Sequence, residues 1–247
     1  MPASGYRANG LDCAKRAGQR PGDTIAEHSR LFMSFRFSRP LSRRAALAGL
    51  LAVTLTAPAR AAPRKVLVFG DSLVAGLGLS EADGFVAQMQ AALDKAGVAV
   101  GLVNGGVSGD TTTTALARLD WALGDRPDGV LLELGANDML QGVDVATIRA
   151  NLTAILDKLK AARLPVFMAG MKANPGLGPD YVAAFDALYP ALARRYGATL
   201  YPFFLDGVAL DAKLNQPDLM HPNAAGVVVI VKNMLPAFSA WAAKLGQ

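Results

Sequence analysis

The chain has 247 residues, 52% of them hydrophobic and 18% charged, which permits a large buried core and argues against a disordered chain. Its formal net charge of +5 is unevenly distributed, because residues 1–61 hold ten basic and three acidic side chains while residues 62–247 hold 15 basic and 17 acidic ones. The folded part therefore lacks the positive charge on which nucleic-acid binding depends, and we expect no nucleic-acid partner.

Residues 1–61 have the pattern of an export leader. Arg43 and Arg44 precede an apolar run of 13 residues, 45–57, and an Ala-x-Ala sequence that ends at Ala61. A transmembrane helix needs about 20 apolar residues, so we expect no stable membrane span in this segment. The arginine pair is compatible with export by either the twin-arginine or the Sec machinery.

The leader also predicts where the mature domain begins. Cleavage near Ala61 would release residues 62–247 as a periplasmic or secreted domain. The stretch before Met33 is longer than the basic region of an ordinary signal peptide, so we expect Met33 to be the initiator. Residues 1–32 would then be an upstream extension and residues 33–61 the signal peptide.

From Lys65 onward, short β-branched runs alternate with helical patterns. In chain order, these patterns predict a strand at 66–69, a helix at 85–96, a strand at 98–103, a helix at 111–123 and a strand at 130–134. They continue with a helix carrying apolar residues from Val145 to Leu159, a strand at 165–169, a helix at 181–196, a strand at 199–203 and a helix at 224–245. This alternation, with strands that are apolar on both faces, indicates one three-layer α/β domain with a parallel sheet.

Ligands of such sheets bind beyond the carboxyl ends of the strands, so the residues after each strand are candidate site residues. Ser72 follows the first predicted strand in the sequence Gly70-Asp71-Ser72-Leu73. Its hydroxyl could be presented beyond the sheet as a nucleophile. Asp and Ser are also common helix N-caps, which is the alternative role for this segment.

Two further segments could donate hydrogen bonds to a developing negative charge. Gly109 precedes the second predicted helix, where its backbone N–H could face an anion, although a plain turn capped by Asp110 or Thr111 is the alternative. Asn137 follows the third strand, and its amide could stabilise an oxyanion or cap a turn. Glu133, inside that strand, is predicted to have a structural role.

The positions of the cysteine and the histidines limit which nucleophiles, bases and metal ligands the mature domain can supply. The single cysteine, Cys13, and one of the two histidines, His28, lie in the leader, so residues 62–247 have no thiol nucleophile and no metal site with several His or Cys ligands. Any histidine base must be His221. Asp218 precedes it by three residues, a spacing that lets the carboxylate hold one imidazole nitrogen as in a Ser-His-Asp triad.

Together these segments resemble the GDSL-type SGNH hydrolases, a family named after Ser, Gly, Asn and His in four sequence blocks. The matching blocks, in order and spacing, are Gly70 to Leu73, Gly109, Gly135 to Asp138, and Asp218 to Pro222. The likeness covers essentially all of residues 65–245. It is greatest to the bacterial thioesterase I, lysophospholipase and arylesterase branch.

The resemblance implies a flavodoxin-like three-layer fold with a five-stranded parallel sheet in the order 2-1-3-4-5. It makes Ser72 the nucleophile and Asp218 and His221 the other members of the triad. It assigns the oxyanion hole to the N–H groups of Ser72 and Gly109 and to the Asn137 amide. The implied activity is hydrolysis of carboxylic esters through a serine acyl-enzyme, which needs no metal and no cofactor.

Apolar residues near the predicted site indicate a small-molecule or lipid ester with an apolar acyl or aryl group as the substrate. These residues are Leu73, Met139, Leu140, Pro175 and Leu177. Two other functions remain open on the same scaffold. A non-catalytic glycan- or lipid-binding module would usually have lost the Ser, Asn or His that this sequence has, and an O-acyltransferase would need a membrane partner that supplies the acyl group.

Overall fold

The computed structural model describes residues 63–246. The predicted upstream extension, signal peptide and cleavage point fall on residues 1–62 and lie outside the described residues. The first described strand begins at Arg64, directly after the predicted start of the mature domain.

Five parallel strands form one sheet in the order β2-β1-β3-β4-β5. The strands are β1 (Arg64–Gly70), β2 (Val100–Gly106), β3 (Gly129–Glu133), β4 (Val166–Ala169) and β5 (Thr199–Tyr201). This confirms the predicted sheet and its strand order. The second strand differs from its prediction at 98–103, since it continues through Gly105 and Gly106, whose lack of side chains hides them from a hydrophobicity pattern.

Within residues 63–246, eight α-helices connect and cover the strands. They are α1 (Ser72–Ala75), α2 (Phe85–Lys95), α3 (Thr112–Ala122), α4 (Ala136–Leu140), α5 (Val145–Ala161), α6 (Pro179–Asp186), α7 (Leu188–Tyr196) and α8 (Ala224–Ala242). The helix predicted at 181–196 is wrong as a single element, because α6 and α7 are separate helices that meet at Ala187. Short 3-10 turns at Glu81–Asp83, Leu123–Asp125 and Pro175–Leu177 complete the connections.

The sheet is buried on both faces, as its uninterrupted apolar strands require. All five residues of β3 are buried. Helix α2 packs against α8, and α3 packs against α5, which also contacts α7. In a parallel sheet covered by helices, ligands bind beyond the carboxyl ends of the strands, so the site is expected at that edge.

In the described part of the chain, α8 is the one helix whose length and apolar composition would be sufficient to cross a membrane. Its buried residues include Ile230, Met234 and Phe238, which belong to the hydrophobic core. The Phe238 ring packs edge-on against Phe167 of β4, with the ring centroids 5.2 Å apart. Packing against the sheet therefore accounts for the apolar residues on the buried face of this helix.

Candidate active site

The turn after β1 places a serine at the carboxyl edge of the sheet. Asp71 is the N-cap of α1, and its Oδ1 accepts a hydrogen bond from the Leu73 N–H at 3.0 Å. The capping alternative therefore applies to Asp71 and leaves the Ser72 hydroxyl available. Helix α1 lies close to β2 because Gly106 has no side chain: a Cβ there would collide with the backbone of Ala75.

The Ser72 hydroxyl lies at one end of a chain of hydrogen bonds. Its Oγ is 2.9 Å from His221 Nε2, and His221 Nδ1 is 2.6 Å from Asp218 Oδ2. The structure thus brings together three residues that the sequence separates by up to 149 positions. The segment that carries the histidine is tied back at two points, by the Gln216 N–H donating to the His221 carbonyl and by a bridge between Asn215 and Pro222.

Asp218 is held as an ionised carboxylate. Its Oδ1 accepts the backbone N–H groups of Met220 at 2.9 Å and His221 at 3.0 Å. These bonds and the one to the imidazole, the His221 N–H contributing most, lower the pKa of Asp218 to about 2. An ionised carboxylate only accepts hydrogen bonds, so Nδ1 of His221 carries the proton and Nε2 faces Ser72 with a free lone pair.

The loop after β2 and helix α4 meet beside this serine. Thr111 caps α3 through a reciprocal capping box with Thr114, so the cap of this helix is Thr111 and not Asp110. Gly109, just before it, has a φ of 86°, and its N–H donates to no group within residues 63–246. Asn137 Nδ2 donates to the Asp110 carbonyl at 2.9 Å and to Asp71 Oδ2 at 3.2 Å. The amide therefore joins the loop of Gly109 to the turn of Ser72.

A buried carboxyl pair underlies the site and was not predicted from the sequence. Asp71 and Glu133 are both fully buried, and the Asp71 N–H donates to Glu133 Oε2 at 3.3 Å. Burial raises the pKa of Asp71 to about 6 and the pKa of Glu133 well above its usual range. No group of three or more potential metal-ligating side chains occurs among the residues that the structure describes.

Arg118 connects the loop after β2 to the end of β1, and this role was not predicted from the sequence. Arg118 of α3 donates from Nε to Asp110 Oδ2 at 2.5 Å and from Nη2 to the Gly70 carbonyl at 3.0 Å. Its guanidinium lies over the Phe69 ring at 4.1 Å from the centroid. The only sequence signal is an arginine among the apolar residues of a helix, which by itself indicates no function.

A small apolar pocket, partly open to solvent, lies beside Ser72 and His221. Apolar side chains form most of its wall, among them Leu73, Leu77, Leu79, Phe85, Phe204 and Ile230. Of the five residues predicted to contact substrate, Leu73 lines this pocket. An apolar substituent of a bound molecule could enter it next to the serine.

The other four predicted substrate residues lie outside this pocket. Met139 and Leu140 are on α4, the helix of Asn137, and Pro175 and Leu177 form the 3-10 turn before α6. The Tyr181 hydroxyl donates to the Val143 carbonyl at 2.9 Å and so ties α6 to the segment after α4. Leu140 and Leu177 are exposed. Contact of these four residues with a substrate stays a prediction.

Known proteins with similar sequences are esterases and thioesterases. The chain is 38% identical to the esterase TesA of Pseudomonas aeruginosa over 191 residues, which cover 77% of this chain and 94% of that protein. It is 35% identical over 196 residues to thioesterase 1/protease 1/lysophospholipase L1 of Escherichia coli K12, covering 79% of this chain and 88% of the relative. The crystal structure of AlinE4, an SGNH-hydrolase family esterase, superimposes with a TM-score of 0.62 at 41% identity, covering 72% of this chain and 96% of AlinE4.

The family model of the GDSL-like lipase/acylhydrolases matches residues 68–228. The matched segment contains the turn of Ser72, the loop of Gly109, helix α4 and the Asp218–His221 segment. This match agrees with the order of the parallel strands and with the similarity to esterases over most of their length. The chain belongs to the GDSL-like lipase/acylhydrolase family.

Proposed function

We propose that Ser72, His221 and Asp218 are the catalytic triad through which this acylhydrolase cleaves carboxylic esters. The observation that carries the proposal is the continuous hydrogen-bonded chain from Ser72 Oγ through the imidazole to the Asp218 carboxylate. A serine hydroxyl is a weak nucleophile unless an adjacent base removes its proton. His221 Nε2, at 2.9 Å, is within the distance that this proton transfer requires.

The reaction proceeds by two acyl transfers. In the first, Ser72 Oγ bonds to the substrate carbonyl carbon while His221 takes the hydroxyl proton. The bond from that carbon to the leaving oxygen or sulfur then breaks, and His221 gives the proton to the leaving group. In the second, water attacks the acyl-enzyme, His221 accepts a water proton and returns it to Ser72, and the carboxylic acid is released.

Asp218 and the oxyanion donors stabilise the charges that develop. The Asp218 carboxylate, with its pKa near 2, remains ionised throughout and stabilises the imidazolium. The N–H groups of Ser72 and Gly109 and the Asn137 amide donate to the carbonyl oxygen as it becomes negative. The absence of a partner for the Gly109 N–H within residues 63–246 supports this assignment.

The apolar surroundings favour substrates with an apolar acyl or aryl group. Leu73 contacts the part of the substrate that enters the pocket beside Ser72. Met139, Leu140, Pro175 and Leu177 contact a longer chain on the side of Asn137. The relatives named as an esterase and as a thioesterase and lysophospholipase support small-molecule esters, acyl thioesters and lysophospholipids as candidates.

An ester panel tests this function. With p-nitrophenyl esters from acetate to laurate, we expect kcat/KM to rise about fourfold for each added methylene until the apolar surface is filled, since each buried methylene contributes about 0.8 kcal/mol. The Leu140→Ala variant should lower this slope and leave acetate turnover nearly unchanged. Trp121→Ala is the matched control, because Trp121 is an exposed apolar residue of α3 outside these segments. A profile that is flat from acetate onward would contradict the proposed specificity.

We also propose that the enzyme acts in the periplasm or outside the cell after export by the twin-arginine or Sec machinery. The basic and apolar pattern of residues 1–61 supports this location. N-terminal sequencing of the exported protein should begin at Ala62. A mature protein that retains residues 1–40 would contradict it, and a block of export by the Arg43→Lys/Arg44→Lys variant would favour the twin-arginine route.

A further inference from the structure

Both hydrogens of the Asn137 amide nitrogen are engaged in the free protein. One is donated to the Asp110 carbonyl at 2.9 Å and the other to Asp71 Oδ2 at 3.2 Å. A carbonyl and a carboxylate can only accept hydrogen bonds. A flipped amide would therefore place its oxygen against two acceptors. These two partners determine that the nitrogen of Asn137, rather than its oxygen, lies at this end of the side chain.

The Asp71 carboxylate, which orients the Asn137 amide, has little freedom to move. Asp71 is fully buried, and its Oδ1 is occupied by the Leu73 N–H at 3.0 Å. The Asp71 backbone is fixed by the hydrogen bond from its N–H to Glu133 Oε2. With Oδ1 committed to capping α1, Oδ2 is the oxygen directed at Asn137. Asp71 thus connects the start of the nucleophile's helix to the side chain of the proposed oxyanion donor.

We propose that Asp71 is a positioning residue that holds the Asn137 amide with its N–H groups available to the oxyanion. The inference rests on the proposed function, which assigns Asn137 to the oxyanion hole. The hydrogen bond to Asp71 is the longer of the two. The hydrogen of this longer bond is the one that the substrate oxygen shares with Asp71, while the shorter bond to Asp110 keeps the amide in place.

The Asp71→Asn variant separates this role from a merely structural one. Asparagine has the same shape and caps helices as well as aspartate does, so a capping or packing role predicts near-normal activity. If the amide oxygen of the new residue accepts the Leu73 N–H, its NH2 group faces Asn137 where an acceptor had been. The NH2 groups of residue 71 and Asn137 then face each other as two donors, and the Asn137 amide is displaced from the orientation in which it donates to the oxyanion. We expect kcat to fall about 10–10²-fold with little change in KM, less than the about 10²–10³ that complete loss of one oxyanion donor costs.

A double-mutant cycle with Asn137→Ala completes the test. Because Asp71 acts through Asn137, Asp71→Asn should cause less than about a twofold further loss of kcat in the Asn137→Ala background. Thermal melting of each variant shows that it is folded, and Asp71→Ser, which keeps a capping side chain but cannot reach Asn137, should give a loss of similar size. Assays at about pH 8 keep the native Asp71 ionised, since burial raises its pKa to about 6.

The possible outcomes distinguish a failure of this inference about Asp71 from a failure of the proposed oxyanion role of Asn137. If Asn137→Ala lowers kcat but Asp71→Asn does not, or if the two losses multiply, Asp71 does not position Asn137 and the inference is overturned. If Asn137→Ala itself has no effect on kcat, the oxyanion role of Asn137 in the proposed function is wrong. A fall in kcat for Asp71→Asn that disappears in the Asn137→Ala background supports the inference.

Discussion

Replacement of Asp218 by asparagine is expected to lower kcat by about 10⁴. The asparagine amide would donate its N–H to His221 Nδ1, where the native carboxylate accepts at 2.6 Å. The imidazole proton would then move to Nε2, which faces Ser72 Oγ at 2.9 Å. An Nε2 that already carries a proton cannot accept the serine hydroxyl proton, so the base is lost although the geometry is retained.

Steady-state kinetics of Asp218→Asn and His221→Ala check this expectation, and the two variants should be similarly inactive because the residues act as a unit. Asp211→Asn is the matched control, since Asp211 lies in the same segment and its Oδ1 accepts a backbone N–H, that of Lys213. The control should retain wild-type kcat. An Asp218→Asn enzyme with more than about a tenth of wild-type kcat would show that the carboxylate does not set the imidazole tautomer.

The low pKa of Asp218 also has a consequence for pH dependence. Hydrogen bonds lower this pKa from 3.8 to about 2 in the folded protein, so the carboxylate contributes stability that is present above the unfolded value and is lost as pH falls through the folded one. Asp218 therefore stays charged over the whole range in which the enzyme is assayed. An ionisation that controls activity near neutral pH belongs to another group.

Loss of the Arg118 side chain is expected to lower the free energy of unfolding strongly. In Arg118→Met, Asp110 would remain as a buried carboxylate without its cation, since the native ion pair has side-chain exposures of 18% and 7%. Removal of one partner of a buried ion pair costs about 3–5 kcal/mol. The Gly70 carbonyl would also lose its hydrogen bond from the guanidinium.

Urea unfolding of residues 62–247 measures the change in the free energy of unfolding. Arg149→Met is the control, because Arg149 is an exposed arginine of α5 and its loss should change stability by less than about 0.5 kcal/mol. Asp110→Asn in the Arg118→Met background should recover part of the loss, since it removes the unpaired charge. A loss below about 1 kcal/mol for Arg118→Met would contradict the account of this ion pair.

The parallel sheet and its strand order could be predicted because each strand carries its own local signal. The runs around Val66, Val130 and Phe167 are apolar on both faces, which is typical of a sheet covered by helices. The short helices α1 and α4 could not be found in this way, because four or five residues do not complete an apolar period. The break at Ala187 does have a sequence signal, Pro190, which has no N–H to donate to the Asp186 carbonyl and whose ring would clash with it in a continuous helix.

The candidate site was predictable where its residues follow strands or stand at fixed spacing. Ser72, Asn137 and the Asp218–His221 pair each occur in a short block that can be found without knowing the fold. The contacts of Asp71 with Glu133 and Asn137 join residues 62 and 66 positions apart, and no local pattern encodes them. Arg118 reaches Gly70 across 48 positions for the same reason.

Covalent labelling with a fluorophosphonate tests the central claim most directly. The activated serine displaces fluoride and becomes phosphonylated, and peptide mass spectrometry identifies the modified residue. We expect one phosphonylated peptide, modified at Ser72, with none in Ser72→Ala and unchanged labelling in Ser108→Ala, a variant of an exposed serine next to Gly109. Labelling at a different serine, or ester hydrolysis that persists in Ser72→Ala, would contradict the assignment of Ser72 as the nucleophile.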